Sequence, residues 1–146
     1  MRIEFKKFYI RIWSQRLVLA IGKLGGLQDA YAFAFWPFIC VRPDKKDYPG
    51  FRELINHEEI HLRQQLELLL IFFYLIYYFE LLFARWVKKL PPLQAYYYVA
   101  AEQEAHRNAE NFEYLKIRKP YAMFRYFFNK KKLSRDQCGK LIQEEY

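Results

Sequence analysis

The chain has 146 residues, 53% of them hydrophobic and 27% charged, which suits one folded domain and excludes a disordered chain. Five Gly and six Pro exclude collagen-like or low-complexity structure; two widely separated cysteines, Cys40 and Cys138, exclude a disulfide scaffold or a Cys-based zinc site and favour a reducing compartment. The net charge of +8 gathers at the two ends, around a more acidic middle, so an anionic partner stands beside ordinary solvated surface as a reading of that charge.

The opening MRIEFKKFYIRIW has basic residues but no continuous apolar core or small-residue cleavage site, so it is not expected to be a signal peptide. Its apolar alternation slips after Phe5, which fits either a bulged strand or a basic amphipathic helix. Gly22, Gly25 and Gly26 mark a turn. AYAFAFW, residues 30–36, alternates Ala with aromatic residues and predicts a strand. Pro37 places that strand at a sheet edge or ends it, and Phe38 to Val41 continue it. Residues 42–50 form a loop, and a helix should begin near Pro49 with Asp47 or a neighbour as its cap. Residues 68–84 carry one charge, Glu80, and are apolar on all sides. The uncharged run is shorter than the ~20 residues of a membrane span, which leaves a buried core helix and a membrane-lying segment as the two readings. A second helix is predicted from Tyr96 to Lys116, and the tail after Pro120 reads as helical and basic.

The residues that carry chemistry are His57-Glu58-Glu59-Ile60-His61. At four-residue spacing on a helix both imidazoles lie on one face and can reach one metal ion, while Glu58 can reach a water without ligating the metal. A chain of this composition contains HExxH by chance in only about 0.005 of cases. Two His do not complete a catalytic site; a third ligand and an open position are needed. No third His follows His61 at close spacing, so the candidates are the carboxylates of AEQEAHRNA, residues 101–109. Glu102 and Glu104 lie about 200° apart on a helix, so one of them faces the metal. Glu102 falls nearer the apolar face formed by Tyr98, Ala101, Ala105, Ala109 and Phe112, and Glu104 is the alternative. His106, the third His of the chain, lies one turn after Glu102 and is a candidate to orient a ligand or stabilise an oxyanion.

HExxH followed by Glu-x-x-Ala on a later helix resembles the gluzincin metallopeptidases. The resemblance implies zinc held by His57, His61 and Glu102, with Glu58 as general base and His106 or one of Tyr96, Tyr97 and Tyr98 assisting at the oxyanion. It also implies an edge strand that pairs with an extended peptide substrate, which Pro37 would limit. The chain departs from the pattern by carrying His106 where Asp or Asn usually stands, and Glu104 with Asn108 offers a second register. NHEEIHLRQQ is also similar to a group of small bacterial proteins with an N-H-E-x-I-H-x-x-Q-Q core. The resemblance covers about residues 34–117.

The expected architecture is α+β and mostly α: one domain, 1–146, in which the HExxH helix and the Glu-bearing helix pack together beside a small N-terminal sheet. Its parts are a β-rich segment 1–42, a metal-binding helical core 49–117 and a basic tail 120–146. A straight helix from 51 to 89 would be about 58 Å long, too long to let Glu102 return to the motif, so the metal reading requires a break, expected between Tyr74 and Lys89. Three readings follow. The first is a zinc-dependent peptidase acting on peptide or protein substrates in the cytoplasm, with association to the inner membrane. The second is a catalytically inactive metal-binding interaction module. The third is a basic membrane-associated helical protein; nucleic acid is disfavoured, because no recognised binding motif is present.

Overall fold

A computed structural model of the chain describes residues 1–24 and 29–128. Four short strands form one sheet: β1 (Arg2–Phe5), β2 (Ile10–Trp13), β3 (Ala32–Phe35) and β4 (Phe38–Val41), in the order β1-β2-β4-β3. β1 and β2 pair antiparallel, β2 and β4 parallel, and β3 and β4 antiparallel with Ala34 opposite Ile39. The ambiguous N-terminus is thus a strand pair, and Phe38–Val41 turns back on β3 instead of extending it. The turn is made at Trp36–Pro37, whose peptide bond is cis. Between β2 and β3 runs α1 (Gln15–Leu24), in which Gly22 is a buried helical position; Gly25 and Gly26, the rest of the expected turn, lie outside the described residues.

Ile39, Cys40 and Val41 are all buried, as a strand covered on both faces requires. One face packs on α2 (Phe51–Glu67): Trp13, Ala34, Ile39 and Val41 join Ile55 and Leu62 in one apolar cluster. α2 starts at Gly50 with no side-chain cap, so Asp47 does not cap it. It ends at Glu67, three residues before α3 (Ile71–Leu82), and the two axes differ by 114°. The required bend therefore falls at Leu68–Leu70, ahead of the expected window. Leu69 and Leu70 both have positive φ, a conformation that disfavours side chains with a Cβ. The Leu70 N–H closes the turn on Gln65 O at 2.8 Å.

α3 continues into a π-helical turn, Phe83–Val87, and the chain reverses over Lys88–Pro91. The predicted 96–116 helix is three helices: α4 (Pro92–Tyr98), α5 (Ala100–Asn108) and α6 (Tyr114–Ile117). Val99 is extended and separates α4 from α5. The carboxylate of Glu80, the lone charge of the apolar run, accepts from the Ala100 N–H at 3.2 Å. A carboxylate there satisfies an orphan donor at the N-terminus of α5 and matches the helix dipole. α7 (Met123–Phe128) closes a second apolar cluster, with Phe73, Val99, Ala100, Ala101 and Met123. The architecture is α+β and mostly helical, with α2 and α5 packed together beside the N-terminal sheet. Most of the basic tail, residues 129–146 with Cys138, lies outside the described residues; Cys40 is a free, buried thiol.

Candidate metal centre

α2 is buried along its polar side as well as its apolar one. His57, Glu58, His61, Gln64 and Gln65 fall within about 120° of arc at 100° per residue, and all five are buried. Buried polar groups have to be partnered, and each of these reaches a different neighbour. Asn56, one residue ahead, donates from Nδ2 to the carbonyls of Asn108 (3.2 Å), Ala109 (2.7 Å) and Asn111 (3.2 Å), gathering the C-terminal end of α5 onto α2.

The two imidazoles meet the Glu102 carboxylate. His57 Nε2 and His61 Nε2 are 3.0 Å apart, and Glu102 Oε2 lies 3.4 Å from the first and 3.2 Å from the second. Metal–ligand bonds of 2.0–2.1 Å at a tetrahedral centre separate the ligand atoms by about 3.4 Å. The three atoms therefore stand at close to the spacing a single divalent cation such as zinc imposes, and two imidazoles with a carboxylate suit its chemistry. Glu102 points its other oxygen away, where Tyr77 Oη donates to Oε1 at 2.7 Å. His106 approaches the same oxygen as the other two imidazoles. Its Nε2 is 3.7 Å from Glu102 Oε2 and its ring centroid is 4.3 Å from that of His57. His57, Glu102 and His106 each offer an atom within 4.8 Å of the others.

Glu104, the alternative carboxylate, faces the other way. It accepts from Arg118, from Tyr114 Oη at 2.9 Å and from Gln64 Nε2 at 3.0 Å. Gln64 also donates to Ala101 O at 3.2 Å. Its amide nitrogen is thereby committed to acceptors, so its oxygen faces His61 Nδ1 at 2.8 Å and must receive the Nδ1 proton. That leaves His61 Nε2 as the atom turned toward His57 and Glu102. Gln64 thus ties an imidazole to the neighbouring helix and fixes its tautomer, a role outer partners commonly play around metal sites. Gln64→Ala is expected to weaken zinc binding ~10- to 100-fold, read by competition titration against a chromophoric chelator. An unchanged affinity would mean that His61 is held without this bond.

The electrostatics follow from burial and crowding. Burial alone would raise the Glu102 carboxyl, but the His61 and His57 imidazoles beside it hold it well below the usual carboxylate range. Burial works to lower His61, yet the Glu102 charge and hydrogen bond win and push it up to about 9. The metal-free cluster therefore keeps a proton that an incoming cation displaces. Burial, with help from the Glu102 charge, pushes Glu58 up to about 7, against the His61 charge and a backbone hydrogen bond from Ala34, which lower it.

Glu58, His61 and Glu102 open onto one cavity of about 610 Å³. Its remaining walls are mostly apolar: Ala30 ahead of β3 and Ala32 and Ala34 on it, Phe33, Phe38 and Cys40 on the sheet, Leu17 and Ile21 on α1, and Tyr74, Tyr78 and Tyr96. Of the three consecutive tyrosines, Tyr96 is the one that reaches this cavity; Tyr97 is buried against His106, 4.8 Å between ring centroids.

The edge strand is not open where the gluzincin resemblance puts substrate. Gln65 donates to Ala34 O at 2.9 Å and accepts from the Trp36 N–H at 2.7 Å, and Tyr74 Oη donates to Ala34 O at 3.4 Å. Side chains of α2 and α3 thus take the outer edge of β3 from Ala34 to Trp36. By strand alternation the next outward-facing backbone groups are those of Ala32.

The structure brings His57, His61, Glu58, Glu102 and His106 to one place. Asn56, Gln64 and Gln65 stand in the N-H-E-x-I-H-x-x-Q-Q core but were given no role by sequence, and Tyr77 and Arg118 were not singled out for the site. The two glutamines carried a readable signal, since 57, 61, 64 and 65 share a helical face. No protein-family model, no curated protein and no solved structure matches the chain.

Proposed function

We propose that the chain is a zinc-dependent metallopeptidase of the gluzincin kind, with His57, His61 and Glu102 as metal ligands. The observation that carries this reading is the approach of His57 Nε2, His61 Nε2 and Glu102 Oε2 to within 3.0–3.4 Å of one another. When bound, a zinc ion would acidify a water and polarise a substrate carbonyl. Every other part of the chemistry falls to the chain. Glu58 takes the proton of the attacking water and returns it to the leaving amine, as a base at the cavity wall beside His61. Tyr77 and Gln64 hold Glu102 and His61 in place, and the apolar walls exclude bulk water. To His106, whose Nε2 lies 3.7 Å from Glu102 Oε2, the same proposal gives the donation to a developing oxyanion. A peptide or protein substrate and a cytoplasmic site of action against the inner membrane belong to the same proposal.

The direct test is metal content. Purified wild-type protein is expected to hold about one zinc per chain, and His57→Ala to hold almost none, by plasma mass spectrometry. Equal content in both would remove the ligand assignment.

A second reading, the inactive metal-binding module, draws on His106. Were it a fourth protein ligand, the site would be closed in the manner of structural zinc sites. His106→Ala separates the two. The peptidase reading expects full metal content and hydrolysis reduced ~100-fold, the usual effect of losing one oxyanion donor. Loss of the metal, with a changed visible spectrum in the cobalt-substituted protein, would favour the closed module.

A further inference from the structure

α3 has an inner face and an outer face. Phe73 and Glu80 are buried inward, whereas Phe72, Leu75, Phe79, Leu82 and Trp86 point outward at spacings of three and four residues. Leu75, Phe79 and Trp86 are 62%, 65% and 73% exposed. Single exposed apolar residues are ordinary, but a row of five along about 20 Å of helix is a contiguous patch.

The exposed charge along this stretch of chain has one sign. From Leu68 to Leu90 the sole acid is Glu80, which is buried on the N-terminus of α5. Arg85, Lys88 and Lys89 are exposed at its C-terminal end, next to Trp86. Among the described residues no single helix is long and apolar enough to cross a membrane, and α2 with α3 meets that test only as a pair bent by 114°. A row of Phe and Leu closed by Trp and cations is the composition of a helix that lies in a bilayer interface.

We propose that the outer face of α3 seats the protein on an anionic lipid bilayer, with α3 in the interfacial plane and the mouth of the metal-site cavity at the lipid surface. Tyr78 links the two: it belongs to the exposed side of α3 and also lines the cavity, as do the exposed Phe35 and Leu17. An apolar stretch of a membrane-associated polypeptide would then reach Glu58 and His61 without crossing bulk water. This substrate class rests on the peptidase reading; the seating itself does not. A second copy of the chain fits the face less well, because it would meet positive charge with positive charge, whereas acidic lipid headgroups complement it.

Vesicle flotation tests the seating. Wild-type protein is expected to float with phosphatidylcholine vesicles containing one quarter phosphatidylglycerol about tenfold more than with phosphatidylcholine alone. Leu75→Glu/Phe79→Glu should abolish flotation, and Lys88→Glu/Lys89→Glu should lower it about tenfold. A blue shift of tryptophan emission on vesicles, absent in Trp86→Phe, would place the helix in lipid. Wild-type protein that does not float, or a Leu75→Glu/Phe79→Glu variant that floats like wild type, overturns the proposal. So does a wild-type dimer in sedimentation that this double variant converts to monomer. Zinc content and circular dichroism are read on each variant. Retained zinc and helix content with lost flotation separates failure of the seating from failure of the metal site.

Discussion

Glu58→Gln is expected to reduce peptide hydrolysis by ~10²- to 10⁴-fold while leaving zinc content at the wild-type level. Glutamine has the size of glutamate and keeps a carbonyl oxygen, but it cannot take up a proton at the cavity wall. Glu58 makes none of the short contacts among His57, His61 and Glu102, so the ion should stay. The same variant carries a second expectation. Burial pushes Glu58 up to about 7 in the folded, metal-free protein, from an ordinary value of 4.5. A carboxyl raised on folding contributes stability that is present below its unfolded value and lost as pH rises through its folded one. At pH 8 the metal-free wild type bears the full penalty of a buried anion, and Glu58→Gln does not. Metal-free Glu58→Gln should therefore melt at or above wild type at pH 8 and lose this advantage near pH 4. Hydrolysis by Glu58→Gln at the wild-type rate would remove the base from the mechanism. A melting temperature below wild type at pH 8 would show that the His61 charge and the Ala34 contact outweigh the burial penalty.

What the sequence made legible and what it hid divide along physical lines. HExxH was readable because helical spacing alone brings His57 and His61 together. Glu102 is favoured over Glu104 because it falls nearer the apolar face of Tyr98, Ala101, Ala105, Ala109 and Phe112. The bend at Leu68–Leu70 was not readable. Turns are signalled by Gly, Pro, Asn or Asp, and three leucines carry no such mark. Two left-handed leucines are held there by tertiary structure, with the burial of Phe73 and the Leu70–Gln65 bond on the favourable side. The hairpin at Trp36–Pro37 was hidden for a similar reason, since the Pro identified the end of β3 but nothing local showed that the chain returns. α1 was masked by Gly22, read as a turn although it sits buried in a helix next to the cavity. Glu80 read as an interruption of an apolar run; its partner, the Ala100 N–H, lies 20 residues away and no local pattern points to it. The helical reading of the tail beyond Phe128 concerns residues outside those described.

The same non-local logic makes Arg118 the most consequential residue outside the metal cluster. Arg118→Ala is expected to destabilise the fold by about 3–5 kcal/mol, the usual result of removing one partner from a buried ion pair. Its guanidinium is buried and donates to both Glu104 and Glu67, joining α5 to the end of α2. Without it, two carboxylates remain close together, and that of Glu104 is shut off from water. Tyr114 and Gln64 still donate to Glu104, but neither carries a charge to balance it. Marginal stabilities of 5–15 kcal/mol leave little margin for such a loss, so a fall in melting temperature of roughly 10 °C or more is expected. The effect should reach the metal site, because Glu104 holds Gln64, which receives the His61 proton. Arg118→Ala is therefore also expected to weaken zinc binding in the protein that remains folded. Adding Glu104→Gln should restore much of the stability, since it removes the unbalanced charge while keeping an acceptor for Tyr114. Denaturant melts of the two single variants and the double variant measure this coupling. If Arg118→Ala loses under 1 kcal/mol, or if the double variant is simply the sum of the singles, the buried ion network does not hold α5 against α2, and the placement of Glu102 has to be explained by Asn56, the Gln64–Ala101 and Tyr77–Glu102 bonds and apolar packing.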